Sequence, residues 1–280
     1  MPDPVRMLRT LERARAATLA TPGRRGHVVD IPSEVFVVGD LHGNLRNLQQ
    51  ALAHADLKTH RKRHLVLQEV LHGPMDRLAL EGDRSHRLLD LVAALKVEFP
   101  ERVHFLLGNH ELAQWTGRAI VKDDLELNGL FREGLKRSYG AHAEALEKAY
   151  GAFFDVCPAA IRTASRVLIC HSLPAPRYRD KFRWTDLYRE YWQPEDLRPG
   201  GVLYAIVWGR DPSAEQVDWL LAQADADVFI TGHFPCEDGY ALASDRHLIL
   251  DARDERGCAC LIPAAAPVAM PDLVNNVIRL

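Results

Sequence analysis

At 280 residues, 47% hydrophobic and 26% charged, the chain has the length and composition of one large globular unit with a substantial core, which excludes a disordered chain. Its 35 basic and 38 acidic residues leave a net charge of −3, so the charge balance does not point to a general nucleic-acid or membrane-surface binder. No apolar run approaches the length of a spanning helix and the N-terminus lacks an apolar signal core, so a soluble, cytoplasmic protein is expected.

Val5, Leu8, Leu11, Ala14 and Leu19 recur at nearly helical spacing among arginines and predict an amphipathic helix packed on the domain. Pro22-Gly23 and Pro32 mark a linker, so residues 1–33 read as helix plus linker ahead of a core domain over 34–263. Val35 to Val38 is a buried-strand pattern that runs into Gly39-Asp40-Leu41-His42-Gly43-Asn44, followed by a helix near 45–55. His64 to Leu67 predicts a second strand, ending at Gln68-Glu69, and a helix carrying Leu88, Leu89 and Val92 stops near Pro100. Val103 to Leu107 is the next strand and leads into Gly108-Asn109-His110-Glu111. This strand-helix alternation implies right-handed crossovers and a largely parallel sheet.

Residues 112–156 read as a helical insertion, either a cap beside the site or a peripheral bundle. Two further apolar runs end in histidine, Leu168-Ile169-Cys170-His171 and Phe229-Ile230-Thr231-Gly232-His233. Between them, Phe182, Trp184, Tyr188, Tyr191 and Trp192 either line a groove or pack in the core. Runs near 240–243, 247–250 and 258–262 predict antiparallel strands completing a second sheet, and 264–280 reads as a surface strap. The five cysteines, Cys157, Cys170, Cys236, Cys258 and Cys260, have no framework spacing and read as free thiols in a reducing compartment. Cys258-x-Cys260 is half a zinc site or, with no second pair following, two core thiols.

A carboxylate and an imidazole two residues apart at a strand end can converge on one cation, in the place where open α/β sheets put their ligands. Gly-Asp-x-His-Gly followed by Gly-Asn-His-Glu, with two later strand-end histidines in order, resembles the calcineurin-like metallophosphoesterases. Among them it is closest to the bacterial phosphoprotein phosphatases, over roughly residues 34 to 262. The resemblance implies an α/β fold, a four-layer α/β/β/α sandwich of mixed sheets with a helical insertion. It also implies two divalent metal ions, manganese first, with iron or zinc as alternatives. Asp40 and His42 would hold the first ion and Asn109, His171 and His233 the second. His110 would be the general acid and Glu111 a support for the loop. Val207-Trp208-Gly209-Arg210 resembles the family's Trp-x-Arg segment and would supply a phosphate-binding arginine.

The chain departs from the family at two places. Leu107 stands where an arginine precedes Gly-Asn-His-Glu, and Gln68-Glu69-Val70-Leu71-His72-Gly73 replaces Gly-Asp-x-Val-Asp-Arg-Gly, which removes a second arginine and the aspartate that supports the acid. Glu69 is expected to replace the aspartate that bridges both ions, the alternative being a carboxylate that is solvated or paired with an arginine. Asp76, Arg77 and Arg84 are candidates to compensate for the lost groups. The expected function is metal-dependent hydrolysis of phosphomonoesters, on phosphoserine or phosphothreonine proteins or on small phosphoesters. Dinucleoside polyphosphate hydrolysis and a metal-binding interaction module with weakened catalysis are the alternatives.

Overall fold

The computed structural model describes residues 2–74, 82–264 and 267–280, so Asp76 and Arg77 lie outside the described residues. Helix α1 (Pro4–Leu19) begins at Asp3, whose carboxylate accepts from the amides of Val5 and Arg6, with Pro4 where no donor is needed. The first half then continues through β1 (Arg24–Arg25), β2 (Val28–Ile31), β3 (Val35–Val38), α2 (Leu45–Ala55), β4 (His64–Gln68), α3 (His86–Glu98), β5 (Val103–Leu106) and α4 (Asn109–Thr116). A hairpin of β6 (Val121–Lys122) and β7 (Leu125–Glu126) leads to α5 (Leu127–Tyr139) and α6 (Ala143–Phe154). The second half holds β8 (Ala160–Thr163), β9 (Val167–Cys170), α7 (Val202–Trp208), α8 (Ala214–Ala224) and β10 (Val228–Thr231). It closes with β11 (Tyr240–Ser244), β12 (His247–Leu250), β13 (Cys258–Ile262), α9 (Met270–Asn275) and β14 (Val277–Arg279).

Two sheets form the centre, in the strand orders β1-β2-β8-β9-β10-β12-β11 and β14-β13-β3-β4-β5. Both are mixed: β3, β4 and β5 run parallel while β13 is antiparallel to β3, and β9, β10 and β12 run parallel while β8 and β11 are reversed. The strands are apolar at nearly every position because both faces are covered. Val35, Val37, Val66, Leu106, Ile169 and Ile230 point into the core between the sheets. Their neighbours Phe36, Val38, Leu65, Leu67, Phe105 and Leu168 point outward beneath the helices. Period-two alternation thus sorts one apolar run into two cores and gives the layer order helices, sheet, sheet, helices.

Three expectations are corrected. The segment read as a linker is a strand pair: β2 pairs in parallel with β8, Val28 opposite Ala160, and buries Val28, Val29 and Ile31. Flanking prolines disguise so short a run. The late strands divide between the sheets, β11 and β12 in the larger and β13 in the smaller. Apolar alternation says which face is buried and not which sheet is joined. The tail adds α9, whose Met270 and Leu273 enter the inter-sheet core, and β14 at the edge of the smaller sheet. Most of the aromatic segment is packing: Phe182, Trp184 and Trp192 are buried, Trp192 stacks on His27 at 3.7 Å, Tyr188 is half-buried and Tyr191 is exposed. Cys258 and Cys260 are buried in the inter-sheet core, where their thiols donate to backbone carbonyls. Among the described residues no helix is long and apolar enough to cross a membrane.

Candidate metal centre

The donors stand where strands of both sheets end. Asp40 and His42 follow β3, Glu69 follows β4, Asn109 opens α4 just beyond β5, His171 follows β9 and His233 follows β10. The two sheets therefore deliver their polar ends to one place, as parallel strands in α/β proteins do. The loops are laced together: the amides of Leu41 and His42 both donate to the Glu69 carbonyl at 2.9 Å, and that of Gly43 donates to Val70. His42, Glu69, His72 and His233 all have positive φ, between 39° and 67°. Such conformations cost non-glycine residues free energy and persist where the surroundings enforce them.

Three of the expected ligands converge tightly. Asn109 Oδ1 lies 3.0 Å from His171 Nε2 and 2.7 Å from His233 Nδ1, and the two imidazole nitrogens are 3.2 Å apart. Glu69 Oε2 is 3.4 Å from His171 Nε2, while Glu69 Oε1 faces His42 Nε2 at 4.0 Å and His110 Nε2 at 3.6 Å. The Glu69 carboxylate therefore lies between the two sets, with the oxygen of one set distinct from that of the other. Asp40 is placed differently from the expectation. Its Oδ2 accepts from the His233 amide and its Oδ1 lies 3.6 Å from His171 Nδ1, whereas the tight triad around His42 consists of His42, Glu69 and His110, all within 4.8 Å.

Whether these residues fit a cation can be judged from their own chemistry. Ligand atoms around a tetrahedral ion with bonds of about 2.0–2.1 Å are separated by about 3.3 Å, close to the spacings here. Asp40 Oδ1, His171 Nδ1 and His233 Nε2 are buried without a hydrogen-bond partner. Burial, then the charge of Asp251, pushes the Asp40 carboxyl well above its usual range; burial, then Glu111 and Asp40, does the same to Glu69. Burial lowers His42 to about 4 and His233 to about 3, so their lone pairs stay available. Carboxylates this crowded need a counter-cation. Two glycines leave the space: a Cβ on Gly232 would stand 1.9 Å from Asp40 Oδ1, and one on Gly108 would stand 1.5 Å from Glu69 Oε2. The set fits divalent ions held by oxygen and nitrogen donors.

The surroundings orient these groups. His42 Nδ1 is 2.9 Å from the Leu71 carbonyl and must donate to it, which turns Nε2 into the site. Glu111 accepts from the amides of Val70, Leu71 and Gly108, tying the loop after β4 to the start of α4. Arg210 donates to the His233 carbonyl at 3.3 Å, and the charges of Glu69 and Asp40 act on its guanidinium. Sequence reasoning missed Arg253, which pairs with Asp251 at 2.8 Å and opposes protonation of His42. It also missed His72, whose Nδ1 lies 2.9 Å from His110 Nδ1. Arg253 has no local signal, since it reaches the site from a turn of no distinctive pattern, and His72 stands in the segment that departs from the family motif, where nothing local tells what it faces. A cavity of about 580 Å³ opens beside His42, its charged lining made of Arg46, Arg84, Arg87 and Arg253 with Asp254 and Glu255. The helical insertion reaches the site through Gln114, which contacts His72 and Glu147.

Comparison with known proteins agrees with this architecture. A serine/threonine-protein phosphatase PP2A-like PPG1 from Candida albicans is 26% identical over 211 residues, 71% of this chain and 42% of that protein, so the chain spans less than half of that relative. A solved protein serine/threonine phosphatase from Saccharomyces cerevisiae, with similarity to human phosphatase PP5, superposes with a TM-score of 0.68 at 13% identity, covering 94% of this chain and 83% of that one. A cold-active protein-tyrosine phosphatase of a psychrophilic Shewanella superposes with a TM-score of 0.56 at 14% identity over 88% of this chain and 79% of that one. These structural likenesses establish the fold. The calcineurin-like phosphoesterase family model matches residues 34–237, a span that holds every strand-end donor described above, and the chain belongs to that family.

Proposed function

We propose that the chain is a metal-dependent phosphomonoesterase acting on phosphoserine or phosphothreonine proteins or on small phosphoesters. The observation that carries this reading is the convergence of Asn109, His171, His233 and Glu69 on one point, with His110 and Arg210 at its rim. Asn109, His171 and His233 would hold one divalent ion and His42 the other, with Glu69 shared and Asp40 alongside. Manganese, iron or zinc suits such a donor set. The ions would lower the pKa of a water and offset negative charge on the phosphoryl oxygens.

The remaining tasks fall to the protein. Arg210 presents a planar cation to the non-reacting phosphoryl oxygens, an arrangement suited to bidentate binding. As the bond from phosphorus to the leaving oxygen breaks, its electron pair stays on that oxygen, and a proton from His110 Nε2 neutralises it. Arg46 and Arg87 on the wall of the cavity beside His42, which also carries Asp254 and Glu255, support a second reading, in which the substrate carries further anionic groups, as a dinucleoside polyphosphate does. The five cysteines are unpaired and buried, which fits a reducing compartment such as the cytoplasm.

Metal content should be measured together with hydrolysis of p-nitrophenyl phosphate after stripping with chelator and adding back manganese. Two ions per chain with restored turnover are expected. No metal uptake and no hydrolysis of that ester, of a phosphopeptide or of a dinucleoside polyphosphate would overturn the proposal.

A further inference from the structure

We infer that His72 is a positioning residue for the acid, a neutral imidazole that fixes the orientation and tautomer of His110 through a hydrogen-bond relay anchored in the helical insertion. The inference rests on the reading of His110 as the proton donor.

The relay is set from its outer end. Glu147 Oε1 accepts from Arg132 Nε at 3.0 Å and from Gln114 Nε2 at 2.7 Å. A carboxylate only accepts, so the Gln114 amide must present Nε2 to Glu147 and Oε1 to the other side. That oxygen lies 3.2 Å from His72 Nε2. His72 therefore carries its proton on Nε2, and its Nδ1 is a bare acceptor. At 2.9 Å from His110 Nδ1 there is room for one hydrogen, and it must belong to His110. His110 thus donates from Nδ1 and turns Nε2 toward Glu69 and the reacting centre.

His72 is placed for this task. It is fully buried, its ring stands edge-on to Phe131, and its backbone is held at φ 60° by a hydrogen bond from its amide to Ser85 Oγ. Ser85 is in turn fixed by Asp83, which accepts from the Ser85 amide. Asparagine and aspartate place a side-chain oxygen the same number of bonds from Cβ as Nδ1 of histidine. His72 lies in the segment that replaces the family's Gly-Asp-x-Val-Asp-Arg-Gly and brings an acceptor of the same reach as the aspartate lost with that motif.

The test uses the metal-loaded full chain and a series of aryl phosphates. His72→Phe keeps the ring and removes the acceptor. Turnover of phenyl phosphate, a poor leaving group, should fall by about 10- to 100-fold, a part of the roughly 10²–10⁴-fold that a general acid contributes in full. Turnover of 2,4-dinitrophenyl phosphate, KM and metal content should change little. His72→Asn, which restores a neutral acceptor, should recover most of the loss. A His72→Phe enzyme with the wild-type dependence on the leaving group overturns the inference, as does one that loses all substrates and its metal together. A second readout does not depend on turnover. With zinc as the added ion, 15N spectra should show His72 protonated at Nε2 and bare at Nδ1, and Gln114→Leu should mix the two tautomers. A wild-type His72 protonated at Nδ1 refutes the relay even if the chain hydrolyses every ester. A wild type inactive on all esters but showing the expected tautomer refutes the phosphatase reading and leaves the relay standing.

Discussion

Replacing Gly108 with alanine should displace the Glu69 carboxylate, and the structure says by how far. Gly108 has φ −103°, open to any residue, so the penalty is overlap alone. The new methyl carbon would stand 1.5 Å from Glu69 Oε2 and 2.8 Å from Glu111 Oε2. A tolerable carbon–oxygen contact is about 3.3 Å, so Glu69 Oε2 must retreat by about 1.8 Å. Metal–ligand distances hold to about 0.2 Å, so a carboxylate shared between two ions as proposed could not stay bound to both. Overpacking of this kind costs about 1–3 kcal/mol. In a chain of this size that lowers Tm by about 2–12 °C. The decisive comparison is with Glu69→Asp, which withdraws the carboxylate by about one bond length, roughly 1.5 Å, and so nearly clears the overlap. Glu69→Asp alone should weaken metal binding, and adding Gly108→Ala to it should cost little more. Metal content by mass spectrometry and melting in EDTA measure both terms. A Gly108→Ala protein that keeps two ions at wild-type affinity would refute this, and so would equal costs of Gly108→Ala in the two backgrounds.

His110→Asn should keep its metal and lose turnover of poor leaving groups more than of good ones; equal losses across an aryl phosphate series would remove the acid role from His110. Arg210→Ala should raise the inhibition constant for inorganic phosphate by about 10- to 100-fold, the worth of a charged hydrogen bond, with melting unchanged. Inhibition as tight as wild type would show that Arg210 is not the anchor. The third concerns Glu69→Gln without metal. Burial beside Glu111 and Asp40 raises the folded pKa of Glu69, so the metal-free wild type is penalised increasingly as pH rises above the unfolded value of about 4.3. Glu69→Gln escapes that penalty, and the buried histidines, common to both proteins, cancel. In EDTA the mutant should therefore be the more stable, by a margin that grows with pH, and added manganese should reverse the order. A margin independent of pH would contradict the sign.

Where the sequence was informative, the information was local. A run such as Val35 to Val38 followed by Gly-Asp-x-His carries its strand and its donor within ten residues, and four such units located the site. The partners of those units are not local. His72 meets Gln114 from 42 residues away and Gln114 meets Glu147 from 33, and no periodicity encodes either meeting. Arg253 gives the same lesson: it follows an ordinary strand and matters because Asp251 holds it beside His42. Strand membership failed for a related reason. Val28, Val29 and Ile31 announce burial, yet only the distant β8 turns that burial into a place in the sheet.

The pairing of β2 with β8 also has a consequence during synthesis. Val28 leaves the ribosome 132 residues before its partner Ala160. At about 5–20 residues per second, the strand waits roughly 7–26 seconds for a neighbour. The smaller sheet has β3, β4 and β5 in hand well before that, so it can begin to assemble while β2 is still an apolar ribbon without an edge to join. α1 can pack on α3 once Glu98 is made, and only its second partner, α6, which ends at Phe154, comes late. β2 is thus translated early and docked late, an interval in which a chaperone that binds short apolar segments would find it exposed.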